Sequence, residues 1–278
     1  MTGLPADAHI RRIALRVGDL DRLATWYGTV LGLTEHERTS DRYTVGTETR
    51  TLVVLENGAD APRRQPSGAG LFHLAIRVPT RGDLGSALRR IEKEWTLTGA
   101  SDHGFSEAMY LRDPENNGIE VYRDRPRSAW PFDADGRLRA PSDPLDVTTV
   151  RSAGTDKHVL PAEADLGHVH LEVTAIERSI RWYRDLIGFD VRMRPAQDVA
   201  FLAAGEYHHH LALNTWNGRT DPAAGRGIAW FEIGLPSRDA VRAVRERCER
   251  ADVTAGSISD GIAMADPDGI GVRCVHAP

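Results

Sequence analysis

The chain has 278 residues, of which 41% are hydrophobic and 27% charged, with a formal net charge of -5. That is the balance of a globular protein with room for one large domain or two ordinary ones. It excludes a basic nucleic-acid footprint, a bilayer-crossing run of ~20 apolar residues, and, with two cysteines, a disulfide framework.

Cys248 and Cys274 read as small buried hydrophobes. Residues 1–8 lack the charged and apolar regions of a secretory signal, so a cytoplasmic location with no membrane partner is expected.

Internal repetition organises the remainder. The first unit, roughly 9–58, opens with the alternating strand Ile10-Arg-Arg-Ile-Ala-Leu-Arg-Val and continues into an amphipathic helix. Asp19 is its expected N-cap, Trp26-Tyr27 lie on it, and Leu31-Gly32 end it. The second unit, 70–125, opens with Leu71-Phe-His-Leu-Ala-Ile-Arg-Val-Pro79. A helix is expected near Asp83 to Trp95, then a tight turn at Asp113-Pro-Glu-Asn-Asn-Gly118 and a last strand. The stretch 126–164 is rich in Pro, Asp, Arg and Ser and reads as a linker, with Arg125 to Arg127 as linker charges. The third unit, 165–217, repeats the first: Gly167-His-Val-His-Leu-Glu-Val, then a helix with Ile176, Ile180, Tyr183 and Ile187 at helical spacing. Thr174 is its expected N-cap, Trp182-Tyr183 repeat the aromatic pair, and Ile187-Gly188 end it. The fourth unit, 227–277, repeats the second, with Ile228-Ala-Trp-Phe-Glu-Ile-Gly-Leu-Pro236, a helix over Arg238 to Ala251, and Asp266-Pro267 before a final strand. The expected fold is α+β. It has four βαβββ units, two in an N-terminal module at 9–125 and two in a C-terminal module at 165–277. The helical Trp and Tyr residues are expected in the core.

This pattern resembles the vicinal oxygen chelate superfamily of glyoxalases, bleomycin-resistance proteins and type I extradiol dioxygenases. The resemblance is nearest to the short two-module bacterial catechol 2,3-dioxygenases. It rests on Gly167-His-Val-His-Leu171, Glu206-Tyr-His-His-His-Leu-Ala-Leu-Asn214, Asp102-His103 to Tyr110, Asp113-Pro to Glu120-Val-Tyr122, and Asp124-Arg-Pro-Arg-Ser128. The family builds curved mixed sheets from pairs of units, with ligands on the first and last strands. Fold alone does not define chemistry, so the side chains must.

Aligning the first strands gives one equivalent position per unit, held by Arg12, His73, His168 and Trp230. The last strands of the second and fourth units give another, held by Glu120 and Arg273. His73, Glu120 and His168 thus form a two-histidine, one-carboxylate set, which suits Fe(II) and oxygen chemistry and also accepts Mn(II). His73 and Glu120 come from the second unit and His168 from the third. The expected geometry therefore pairs unit two with three and unit one with four, as in fused glyoxalases. His170, on the same strand face by period two, is the rival for His168.

The resemblance implies further roles. His209, in the run His208 to His210, matches the family's acid/base histidine and would also bind substrate; alternation would turn His208 and His210 the other way. Tyr110, ten residues before Glu120, matches the active-site tyrosine. His103 lies seven residues before Tyr110, two fewer than in the larger enzymes, and is expected to assist it. Trp216 is a candidate pocket wall. The implied function is an Fe(II)-dependent extradiol dioxygenase of aromatic catabolism. It would insert both atoms of O2 into catechol or a substituted catechol to give a 2-hydroxymuconic semialdehyde-type product. The implied partners are the catechol and O2, in a family where homo-oligomers are common. Two alternatives are a glyoxalase-type isomerase, which usually carries a further carboxylate where Arg273 stands, and a metal-free protein binding aromatic compounds, which would lack the three ligands.

Overall fold

A computed structural model describes residues 3–277. The first unit comprises β1 (His9–Val17), α1 (Leu20–Thr29), β2 (Thr34–Arg38), β3 (Arg42–Gly46) and β4 (Thr51–Asn57). The second comprises β5 (Gly70–Arg77), α2 (Arg81–Glu94), β6 (Gly99–Asp102), β7 (Ser106–Arg112) and β8 (Gly118–Asp124). The stretch expected as a linker carries a 3-10 turn at Arg127–Ala129, β9 (Asp143–Pro144) and α3 (Val147–Ala153). The third unit comprises β10 (Asp165–Glu172), α4 (Ile176–Trp182), a π turn at Tyr183–Ile187, β11 (Asp190–Ala196), β12 (Val199–Ala203) and β13 (Leu211–Asn214). The fourth comprises β14 (Gly227–Leu235), α5 (Arg238–Arg250), β15 (Gly256–Ile258), β16 (Gly261–Ala265) and β17 (Gly271–His276).

Among the described residues the strands form two mixed sheets. One runs β15-β16-β17-β14-β1-β4-β3-β2, the other β11-β12-β13-β10-β5-β8-β7-β6-β9. Units one and four share the first sheet, and units two and three the second, which is the crossed pairing the divided ligand set required. Parallel pairing of first and last strands recurs, as Leu74↔Ile119 to Arg77↔Tyr122 and as Trp230↔Gly271 to Leu235↔His276.

The chain resolves into two compact units. One holds Leu15–Ala61 and His73–Gly167, the other the chain up to Ala14 with Pro62–Phe72 and from His168 onward. In the former, Leu23, Trp26 and Tyr27 of α1 and Leu84, Leu88 and Ile91 of α2 are buried. Tyr27 donates its hydroxyl to Asp113, 3.3 Å away. Arg90 on α2 donates to the carbonyls of Val30 and Leu31, closing the end of α1 with a cation where the helix dipole is negative. Burial lowers the pKa of Arg90 to about 10, which still leaves it charged near neutrality. α3 presses on α2 at a glycine pair: a Cβ on Gly85 would strike the Val150 carbonyl, and one on Gly154 the backbone of Gly85.

The other unit repeats both devices. Tyr183 donates to Asp266 at 2.8 Å, and Arg247 on α5 donates to the carbonyls of Leu186 and Ile187. Ile180, Tyr183, Ile187, Val244 and Cys248 are buried. Burial pushes the Cys274 thiol up to about 12, so it stays protonated and inert, as its sequence context implied.

Several local expectations are corrected. Asp19 caps α1 by accepting from Arg22 N, but Thr174 does not cap α4. The N-cap is Ala175, without a side-chain bond, while the Thr174 amide and hydroxyl both donate to the buried Asp268. A carboxylate remote in sequence outcompetes the local cap. The helical spacing of Ile176 to Ile187 widens into the π turn after Trp182, closed by Gly188 at φ 101°. Arg125 is more than a linker charge: it donates to Asp102 and Glu107.

Candidate metal centre and active site

The site begins with strand register. β7 and β8 pair Tyr110 with Glu120, and β5 and β8 pair Ala75 with Glu120. Ala75, Glu120 and Tyr110 therefore stand side by side across three strands. His73, two residues before Ala75, shares its face. The small side chain at position 75 leaves Glu120 room to reach His73, and His73 Nε2 lies 3.0 Å from Glu120 Oε2. Both residues are buried, at 7% and 3% exposure.

Tyr110 packs on the core of Ala75, Ala108 and Tyr122, and its ring centroid is 5.7 Å from that of His73. Burial pushes its phenol well above the ordinary value, and the charge of Glu120 adds to the effect. Tyr110 thus remains a protonated hydrogen-bond donor near neutrality. Its hydroxyl lies 2.8 Å from His103 Nε2, while His103 Nδ1 lies 2.8 Å from the Pro141 carbonyl. That carbonyl can only accept, so Nδ1 carries a hydrogen and Nε2 faces Tyr110. The seven-residue spacing does bring His103 to Tyr110. Pro141, which orients it, was hidden because it sits in a segment without periodicity.

His168 lies on β10 directly after Gly167, where a Cβ would strike the Tyr122 hydroxyl. The glycine lets the strand approach Tyr122 and so fixes where His168 starts. His209 stacks near it with ring centroids 4.1 Å apart, and Phe201 meets His209 edge-on at 4.8 Å. The run His208 to His210 precedes β13, which starts at Leu211. Strand alternation therefore does not apply to it, and all three histidines are buried. His208 Nδ1 and His209 Nδ1 are 2.7 Å apart, so one nitrogen of the pair must donate to the other. His210 Nδ1 instead accepts from the Ala204 amide.

One ligand atom from each of His73, Glu120 and His168 lies within 4.8 Å of the others, and all three residues are buried. His170 is not in this group; its Nε2 meets Asn214 Nδ2 at 2.9 Å. Two imidazoles and a carboxylate, converging in a buried place, are the donors a divalent first-row metal takes. Trp216 is 48% exposed and packs edge-on against Phe72 and His170, at 5.3 and 5.4 Å between centroids.

The chain matches the Glyoxalase/Bleomycin resistance protein/Dioxygenase superfamily over residues 9–121 and 165–273. It belongs to that family. It is 33% identical over 277 residues to the catechol-2,3-dioxygenase of Bacillus subtilis (strain 168), covering 96% of each chain. It is 31% identical over 128 residues to biphenyl-2,3-diol 1,2-dioxygenase 3 of Rhodococcus globerulus, covering 45% of this chain and 66% of that one. Two solved structures share the fold. A putative dioxygenase from Bacillus subtilis has a TM-score of 0.67 at 13% identity, covering 100% of this chain and 86% of that one. Glyoxalase I from Zea mays has a TM-score of 0.59 at 19% identity, covering 97% and 92%. No helix among the described residues is long and apolar enough to cross a membrane.

Proposed function

We propose that the protein is an Fe(II)-dependent extradiol dioxygenase that opens catechol or a substituted catechol beside its diol, giving a 2-hydroxymuconic semialdehyde-type product. The observation that carries this reading is the grouping of His73, Glu120 and His168 within 4.8 Å, with Tyr110 in register against Glu120. Similarity to catechol-2,3-dioxygenase along nearly the whole chain supports it. When bound, the iron supplies the redox chemistry that joins catechol to O2. His73, Glu120 and His168 would hold it.

The surrounding residues then manage protons. Tyr110 carries one phenolic hydrogen. The Glu120 carboxylate and His103 Nε2, the latter oriented by Pro141, both border its hydroxyl and compete for that hydrogen. His209, whose Nδ1 lies against that of His208, would take a proton from the incoming diol and return it to the departing oxygen. Phe201 and the buried histidine run restrict water around His209. Trp216 would border the ring substituent.

The test is anaerobic reconstitution with Fe(II), addition of catechol and admission of air. A yellow ring-fission product and matching oxygen uptake are expected, and Glu120→Ala should lose both iron and activity. No colour and no uptake across several substituted catechols would overturn the proposal. So would a Glu120→Ala variant that loads iron normally and still cleaves catechol.

A further inference from the structure

Residues 126–144 carry no periodicity, yet they fold back on the turn that holds His103. His103, Gly104 and Phe105 join β6 to β7. Arg125, directly after β8, pins this turn on both sides of His103. Its amide donates to the Phe105 carbonyl at 2.7 Å, and its guanidinium donates to Asp102. Trp130 donates its indole N–H to the Arg125 carbonyl at 2.9 Å and meets Phe105 edge-on, with centroids 6.2 Å apart. Phe105 is 3% exposed and lies nearly parallel to the His103 ring, 6.0 Å from it.

The segment then doubles back as a hairpin. Phe132 and Leu138 form an antiparallel bridge, and the Arg139 amide donates to the Pro131 carbonyl at 2.8 Å. At the tip, Asp133 Oδ1 accepts from the amides of Asp135 and Arg137 at 3.0 and 2.8 Å, the side-chain acceptor that closes such a turn. The hairpin brings Pro131 and Pro141 to the same place. A Cβ on Gly104 would lie 2.7 Å from Pro131 Cγ and 3.2 Å from Pro141 Cγ, and φ there is 74°, so the turn accepts only glycine without strain. Beyond it β9 pairs with β6, as Ser101↔Pro144 and Asp102↔Asp143. Between the hairpin and β9 the Pro141 carbonyl meets His103 Nδ1 at 2.8 Å. Proline fixes φ at 131, 141 and 144 and leaves the segment few alternatives.

We propose that residues 126–144 are a strap that positions His103, and that Asp133 and Trp130 are positioning residues acting through it. Asp133 closes the hairpin that delivers the Pro141 carbonyl, and Trp130 anchors its entry on Phe105. Released from that carbonyl, the imidazole is free to change tautomer and rotamer, and its Nε2 no longer faces the Tyr110 hydroxyl at 2.8 Å. The catalytic consequence rests on the dioxygenase reading; the positioning does not.

Proton–nitrogen NMR of the full chain, metal-free and labelled at histidine nitrogen, tests this. The His103 imidazole N–H, identified by its loss in His103→Gln, should exchange slowly with water. Asp133→Ala should speed that exchange by about tenfold or more, the scale of a lost hydrogen bond. Asp133→Asn should preserve it, because the Asn oxygen accepts the same two amides. Trp130→Leu, at the other anchor, should speed exchange independently of the hairpin tip. With iron and catechol, Asp133→Ala should lower kcat by about tenfold, as misplacement of a group at the reacting centre does, and Asp133→Asn should restore it. An unprotected His103 N–H in the unaltered chain overturns the strap. So does unchanged exchange in Asp133→Ala and Trp130→Leu, or equal acceleration in Asp133→Asn. If catechol is cleaved with kcat unchanged in Asp133→Ala, the catalytic consequence is overturned. If no catechol is cleaved the dioxygenase reading falls, while the exchange rates still decide the strap.

Discussion

Replacing Asp266 by Asn removes one ionisation and keeps its hydrogen bonds. Asp266 Oδ1 accepts from the amides of Asp268 and Ile270 at 2.9 Å each, and Oδ2 accepts from Tyr183. An Asn oxygen can accept both amides, while its NH2 meets the Tyr183 hydroxyl oxygen. Burial raises the Asp266 carboxyl from 3.8 to about 6. The folded pKa is raised, so folding favours the protonated form. Its stabilising contribution is full below pH ~4 and is lost as pH rises through about 6. A shift of roughly two units at about 1.4 kcal/mol each makes ionisation at pH 7 cost on the order of 3 kcal/mol. That corresponds to roughly 6–12 °C in melting temperature for a chain of this size. The assay is thermal unfolding of both proteins at half-unit steps from pH 4 to 7.5, reading the difference between them. Other carboxylates titrate in both and cancel. Asp266→Asn should gain stability relative to the unaltered protein across pH 5 to 7. Parallel profiles over the whole range would show that the buried carboxyl carries no such penalty, and the reasoning would fail.

Tyr110→Phe should lower kcat by about 10²-fold with iron content unchanged, because it removes a donor near the substrate but no ligand. Equal kcat in steady-state assays with iron measured in parallel would remove Tyr110 from the mechanism. His209→Gln should lower kcat by about 10²- to 10⁴-fold and flatten the acid limb of the pH–rate profile, as loss of a general acid/base does. An unshifted profile would reassign the role within His208 to His210. Gly167→Ala should reduce metal content, because its Cβ meets the Tyr122 hydroxyl and displaces the strand at His168. Gly167→Ala,Tyr122→Phe should recover part of it, and elemental analysis of both variants decides.

Much of the fold was legible because repetition amplifies weak signals. A single alternating strand is ambiguous, but four copies, each followed by a helix, define a βαβββ unit. The Trp-Tyr pairs read as core for the same reason, although the partners of their tyrosines, Asp113 and Asp266, lie more than eighty residues away. The expected Thr174 cap failed where such a remote group, Asp268, intervened. The linker was opaque because its contacts are with groups remote in sequence: the Pro141 carbonyl with His103, Arg151 with Glu92 and Gly154 against Gly85.

By itself the sequence determined which residue types occupy equivalent positions: His73, His168 and Glu120 on one set of strands, Arg12, Trp230 and Arg273 on the other. Strand period and chain repetition suffice for that, being local properties. The divided ligand set implied which units share a sheet, and the tertiary structure decided it, since that depends on hydrogen bonding between strands far apart in the chain. The crossed order, with β10 beside β5 and β14 beside β1, gathers two histidines and a glutamate in one sheet and guanidinium groups in the other.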